Sequence, residues 1–406
     1  MEPFFSERSG IVLDPIMAID ELFRNDTAPD KMNLVVGVFQ NNEGETPILD
    51  CVKIAESHLV SSEGSKAYLP IAGEPSFVEL AEALVLGAAG HEFAGRQVAS
   101  IQTPGSTAGL RIAAEFIRDQ SHTAKAWISV PAYSNHKPIF RAAAVGVADY
   151  RYYDAVRGTL LFDEMLTDLS SASPGDVVLL HACCHNPSGA DLTVPQWEIL
   201  ARFLKERSLL PMVDAAYIGL ASGIDQDAAG LRALACICPE TIIAASFSKN
   251  FALYSERVGL LSLIGSSGVH VHASAGRAKV YARALYTSPP SHGARAIAQI
   301  LADEKLRVRW LEELGGMREK LLDVRRLLAD GLESHGVSTL FPSLRQNRGM
   351  FTLSQMTSAD VLHLRQQHHV YVLDNGRVSF GGMRKDDIPK LCAAIAQAIA
   401  ARDAAA

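Results

Sequence analysis

Lys249 stands in the run Ala245-Ser-Phe-Ser-Lys-Asn-Phe-Ala-Leu-Tyr-Ser-Glu-Arg-Val-Gly259, just past the apolar stretch Thr241-Ile-Ile-Ala-Ala245. A lysine desolvated at the end of a buried strand loses proton affinity and becomes a usable amine nucleophile. Ser246 and Arg257 flank it and suit a phosphate, the guanidinium through a bidentate contact. A lone strand-end lysine is more often solvated, so the reading depends on its company. Asp214 closes Leu209-Leu-Pro-Met-Val213. A carboxylate there is costly unless it meets a cation, such as a protonated pyridine nitrogen, or caps the following helix. Thr103-Pro-Gly-Ser-Thr-Ala-Gly-Leu110 reads as a glycine turn opening a helix, where backbone N–H groups and the hydroxyls of Ser106 and Thr107 form a phosphate cradle. The same pattern opens helices that bind nothing. In His185-Asn-Pro-Ser-Gly189, Asn186 can donate to a phenolate-type oxygen, or the segment is a plain turn. Jointly, a lysine for a Schiff base, an aspartate for a pyridinium and hydroxyls with an arginine for a phosphate are the groups that pyridoxal phosphate requires.

The elements that must position these residues have a steady rhythm. Apolar runs at Val98–Ile101, Ala126–Val130, Val177–Leu180, Leu209–Val213, Thr241–Ala245 and Val258–Ile264 alternate with helical patterns. Such alternation predicts a mostly parallel sheet covered on both faces, with ligands at the carboxyl ends of its strands. Beyond Trp310 the pattern changes. A helix is expected over Met317–Leu332, set off by a Gly315-Gly316 bend, then short strands near Met350–Leu353, Val370–Leu373 and Val378–Phe380 in a second, smaller domain. The docking of the first 40 residues is not legible, and the alanine-rich carboxyl end is expected to fray.

Composition narrows the function classes. The 406 residues carry a net charge of −7, which argues against a nucleic-acid binder. No apolar run is long enough for a membrane span, and Met1–Gly10 lacks the pattern of a secretory signal. Six cysteines form no disulfide framework; Cys183-Cys184-His185 and Cys236-Ile-Cys238 lack paired C-x-x-C spacing, so buried free thiols are expected and no metal. A cytoplasmic protein is the resulting expectation. His270 and His272 are expected on a surface segment, and His363, His368 and His369 on a solvated helical face.

The motifs Ser246-Phe-Ser-Lys-Asn-Phe251 and Cys183-Cys-His-Asn-Pro-Ser-Gly189 are more specific than a glycine loop. With them the chain resembles the class I, fold-type I aminotransferases, in particular the aspartate and aromatic amino acid aminotransferases, from Asp14-Pro-Ile16 to Gly376-Arg-Val378. The resemblance implies an α/β fold with a large domain over 44–316, built on a mostly parallel seven-stranded sheet flanked by helices. A smaller α/β domain comprises 1–43 and 317–406. It implies that Lys249 forms the aldimine with pyridoxal 5′-phosphate and then moves a proton. Asp214 pairs with the pyridine nitrogen, supported by His136, while Asn186 and Tyr217 hydrogen-bond the cofactor's 3′-oxygen. Ser106, Thr107, Ser246 and Arg257 hold the phosphate, joined by Tyr68 of a neighbouring subunit. Tyr133 stacks on the cofactor where a tryptophan is usual. On the substrate side it implies Gly37, Tyr133, Asn186, Arg377 for the α-carboxylate and Arg283, from the partner of a homodimer, for a distal carboxylate. Ser379-Phe380 after the clamp arginine departs from the aspartate enzymes' usual pattern, while Ser288 in place of an asparagine and the Tyr68-Leu-Pro70 stretch resemble the aromatic branch.

The implied activity is a two-half-reaction transfer of an amino group, through a pyridoxamine form, from an aromatic or acidic L-amino acid to a 2-oxo acid such as 2-oxoglutarate. A strict aspartate enzyme, a specialised pathway aminotransferase and a lyase on the same scaffold remain open. A non-catalytic relative would be expected to lose Lys249 or Asp214, and both are present. A dinucleotide-binding dehydrogenase lacks its glycine fingerprint here.

Overall fold

Alternation along each apolar run decides the architecture. In Val177-Val-Leu-Leu180 the side chains of Val178 and Leu180 join one core, while Val177 and Leu179 join the other on the opposite face. A strand apolar on both faces must lie inside a sheet sandwiched between helices. The computed structural model describes residues 14–87, 92–93 and 95–405. It contains such a sheet of seven main strands: β1 (Arg96–Thr103), β2 (Lys125–Val130), β3 (Gly146–Arg151), β4 (Val177–His181), β5 (Leu210–Ala215), β6 (Glu240–Ser246) and β7 (Gly259–Gly265). Their spatial order is β1-β7-β6-β5-β4-β2-β3, with the two-residue strand Glu92–Phe93 beside β1. Strands β6, β5, β4, β2 and β3 run parallel, and β7 is antiparallel to both its neighbours. All six expected runs are strands. β3 was missed because Gly-Val-Ala-Asp-Tyr-Arg is a largely solvated edge with a weak apolar signature.

The helices Gly105–Gln120 and Gly268–Tyr286 supply Leu110, Ile117, Ala275 and Ala282 to the smaller core. The larger core on the other face runs without a break into the carboxyl-terminal part. There, Met32–Asn33 pairs in parallel with Val370–Tyr371, and Phe351–Leu353 pairs antiparallel with Arg377–Ser379. Helix Pro15–Asn25 packs Ile19 against Val35, Tyr371 and Leu373, so residues 14–35 dock on the end of the chain.

Several local expectations are corrected. The helix expected over Met317–Leu332 spans Glu304–Ser334 and passes through Gly315 and Gly316, because Trp310, Leu314, Met317 and Leu321 form one buried stripe that holds the weak positions helical. The alanine-rich end belongs to helix Ile388–Ala405, whose Ala394, Ile395 and Ala398 are buried. His270 and His272 are exposed as expected, on helix Gly268–Tyr286. Cys236 is exposed, while the other five cysteines are buried; all six are free. Among the described residues no helix is long and apolar enough to cross a membrane. Met1–Gly10, read for a secretory signal, lies outside the described residues.

The long helix is tied to the Lys249 loop through Trp310. Its fully buried indole stacks on Phe251 at 4.4 Å between ring centroids and donates from Nε1 to the Asn250 carbonyl at 2.8 Å. Trp310→Ala is expected to destabilise the fold by about 3–5 kcal/mol, and Trp310→Phe, which loses the hydrogen bond and part of the buried ring but keeps the stack on Phe251, by about 2 kcal/mol. Urea unfolding of the two variants checks this ranking; equal losses would contradict it.

Candidate active site

Sheet register places the first charged group. Asp214 sits near the carboxyl end of β5, level with Ala244 on β6 and His181 on β4. His136 begins helix His136–Ala142 and brings Nε2 to 3.0 Å from Asp214 Oδ2, both residues buried. Asp214 is therefore the partner of an imidazole and not a helix cap. Its other oxygen, Oδ1, is buried without a hydrogen-bond partner. Burial pushes this carboxyl up, but the His136 hydrogen bond, with nearby positive groups including Lys249, more than offsets it and leaves the acid below its usual range.

Lys249 lies three residues beyond β6, with Nζ 5.0 Å from the centre of the Tyr217 ring. Desolvation draws its amine below the ordinary lysine value, Arg257 adds to this, and Asp214 opposes it. Burial raises the Tyr217 hydroxyl, and Asn186 hydrogen-bonds to it.

A cavity of about 190 Å³ unites Ser106, Thr107, Tyr133, Asn186, Asp214, Tyr217, Lys249, Arg377 and Gly37. Gly37 approaches so closely that a Cβ there would meet the Phe351 ring at 2.6 Å. Arg377 opens the strand Arg377–Ser379; Nη1 donates to Asn186 Oδ1 at 3.2 Å, Nη2 donates to the Val35 carbonyl, and the guanidinium lies 4.6 Å over Phe351. Its Nε has no partner.

At the helix Gly105–Gln120, the turn is shaped by Arg257. Gly105 has φ +77°, and a Cβ on it would meet Arg257 Nη2 at 2.5 Å. Arg257 donates to Ser248 Oγ at 3.2 Å and to the Pro104 carbonyl at 3.4 Å, and Ser246 Oγ lies 3.2 Å from Ser248 Oγ. Ser246 and Arg257 thus border the cradle formed by Ser106, Thr107 and the first turn of that helix. Tyr68 and Arg283 are outside the cavity: Tyr68 is 90% exposed, and Arg283 is exposed on the last turn of helix Gly268–Tyr286.

Sequence reasoning passed over His181, Phe351, Ile16, Ala216 and Ser248. His181 had a usable signal, since it is the polar residue that closes β4. Its ring centroid lies 5.0 Å from that of His136, and burial holds its pKa down at about 3, so it stays neutral beside Asp214.

The donor set fits pyridoxal phosphate on structural grounds. Asp214 Oδ1 is an orphaned buried acceptor for a protonated ring nitrogen, Ser106 and Thr107 of the glycine turn line the cavity as phosphate donors, and the desolvated Lys249 amine shares it. The family model "Aminotransferase class I and II" matches residues 29–395. The chain is 41% identical over 391 residues to the aspartate aminotransferase of Escherichia coli K12, covering 96% of this chain and 99% of that one. It is 39% identical to a tyrosine aminotransferase of Rhizobium meliloti, over 91% of this chain and 94% of the relative. A crystal structure of an aromatic-amino-acid aminotransferase from Burkholderia pseudomallei, covalently bound to pyridoxal phosphate, superposes with a TM-score of 0.92 at 37% identity and covers 98% and 99% of the two chains. The chain belongs to the class I and II aminotransferase family. It is a pyridoxal-phosphate-dependent aminotransferase with the type I fold.

The lowered Lys249 amine sets a pH dependence. With the folded-state pKa below the unfolded value of about 10.4, the unfolded chain binds more protons between those two values. Stability of the cofactor-free protein should therefore rise with pH across that window, and Lys249→Met should flatten the rise. Urea midpoints of both proteins at several alkaline pH values test this; parallel curves would refute it.

Proposed function

We propose that the enzyme transfers amino groups from both acidic and aromatic L-amino acids to 2-oxo acids such as 2-oxoglutarate, as a homodimer whose active sites are shared. The observation that carries this reading is the meeting of Lys249, Asp214 and Arg377 in one cavity, with Arg377 Nε free of a protein partner. Relatives named for aspartate, tyrosine and aromatic substrates support it. When bound, pyridoxal phosphate supplies an aldehyde that takes up the amino group and a protonated ring that accepts electrons.

The protein's own groups do the rest. Lys249 holds and moves a proton at its Nζ, whose proton affinity desolvation lowers from the ordinary lysine value. Asp214, steadied by His136, keeps the ring nitrogen protonated through Oδ1. Asn186 and Tyr217 would donate to the cofactor's 3′-oxygen, Tyr133 would cover its ring, and Ser106, Thr107, Ser246 and Arg257 would hold its phosphate. Arg377 orients the substrate α-carboxylate against Gly37 and Asn186. Tyr68 and Arg283, exposed on one chain, complete the neighbour's site: Tyr68 on the phosphate, Arg283 on a distal carboxylate. The six free cysteines agree with a reducing, cytoplasmic setting.

Two outcomes follow. Asp214→Asn breaks a buried charged contact of about 3–5 kcal/mol and should slow both half-reactions by about 10²–10³-fold or more, read as single-turnover loss of the yellow absorbance. Arg283→Leu should lower kcat/KM for aspartate about 100-fold or more while leaving phenylalanine within a few-fold. Equal losses on both substrates would remove Arg283 as the distal clamp, and no conversion of either by the native enzyme would point to a specialised donor.

A further inference from the structure

Gln102 lies fully buried near the end of β1, one residue before the Thr103-Pro104-Gly105 turn. Its four polar groups all leave the sheet for two distant segments. The backbone N–H donates to the Ala72 carbonyl at 2.8 Å, and side-chain Oε1 accepts from the Glu74 N–H at 2.9 Å. Side-chain Nε2 donates to the Pro290 carbonyl at 2.6 Å, and the Gln102 carbonyl accepts from the Tyr286 hydroxyl at 3.3 Å. The two segments also meet directly, because Ser288 Oγ donates to the Leu69 carbonyl at 3.0 Å. One leads back to Tyr68, the other to Arg283, and both of those residues are exposed.

The side-chain amide supplies an acceptor and a donor together at neutral charge. Replacing it with an apolar side chain would remove the partners of the Glu74 N–H and the Pro290 carbonyl, and with them the ties that hold these two partly exposed segments to the sheet. We infer that Gln102 is a positioning residue that locks the Tyr68 and Arg283 segments in one register, so that the geometry of the distal-carboxylate clamp is set from inside the sheet. A loss of that register falls on every substrate through Tyr68 and additionally on dicarboxylates through Arg283, so it shows in the ratio between the two substrate classes. The inference rests on the reading of Arg283 as the clamp of the neighbouring subunit. It also ties that clamp to the phosphate turn that follows Gln102 in the chain, so each chain's lent residues are anchored beside its own cofactor site.

The test is Gln102→Met in the holoenzyme, with kcat and KM measured separately for aspartate and phenylalanine. A displaced clamp is expected to lower kcat/KM for aspartate about tenfold relative to that for phenylalanine, mainly through KM. A merely structural role would lower both substrates together and leave their ratio unchanged, which would overturn the inference. Should Gln102→Met fail to fold, Ser288→Ala removes the half-buried cross-tie and is expected to shift the same ratio about twofold or more; an unchanged ratio there would equally overturn it. Arg283→Leu measured in parallel separates the two failures. If it shifts the ratio while Gln102→Met and Ser288→Ala do not, the clamp stands and the role of Gln102 falls; if it shifts nothing, the clamp and this inference fall together.

Discussion

An ionised aspartate in a dry interior is the constraint around which this molecule is arranged. Asp214 has almost no contact with solvent, and burial alone would protonate it. One oxygen is held by His136, and the other is left bare toward the cavity. That arrangement requires an imidazole delivered from helix His136–Ala142 across the carboxyl end of the sheet. It also requires His181, level with Asp214 on β4, to stay neutral so that it does not compete for the same charge. The parallel register of β4, β5 and β6 is thus an electrostatic requirement as much as a packing one.

The substrate end obeys a complementary rule. Arg377 is a permanent cation with little solvent, and its planar fork spends Nη1 on Asn186 and Nη2 on the Val35 carbonyl while resting on the Phe351 face. A lysine could not satisfy a side-chain amide, a carbonyl and an aromatic face at once and still keep a directed N–H available. Because Val35 comes from the amino-terminal segment and Asn186 from the loop after β4, the guanidinium also joins parts of the chain that are remote in sequence.

Much of this was legible in the sequence where one chain segment carries the signal. Strands apolar on both faces announce a covered parallel sheet, and polar residues that end them announce the site; Asp214 follows that rule, and Lys249 lies just past β6. His181 obeyed the same rule and was overlooked only because no motif surrounded it. The misses lie where tertiary contacts override local preference. Gly315 and Gly316 remain helical because buried neighbours on one stripe hold them, and β3 survives at an edge with a polar sequence because β2 pairs with it along its whole length. The docking of residues 14–35 against Val370–Leu373 is set by contacts more than 300 residues apart in sequence, which no local pattern encodes.

The same distinction bears on specificity. On the reading proposed here, the groups that every amino acid substrate needs, the amine acceptor side and the α-carboxylate, fall to Lys249 and Arg377, which line one cavity within a single chain. The group that differs between substrates falls, on the same reading, to Arg283, which stands at a helix end and is exposed on the single chain. A buried arginine in that position would reject an aromatic ring outright, since the ring could neither pair with it nor displace it without leaving a bare charge inside. An exposed one can turn back to water at little cost. Two substrate classes can then share one site only if the clamp's side chain is mobile while its backbone is fixed. On that reading the bonds that buried Gln102 makes, accepting from the Tyr286 hydroxyl and donating to the Pro290 carbonyl, would fix the backbone beneath the Arg283 guanidinium.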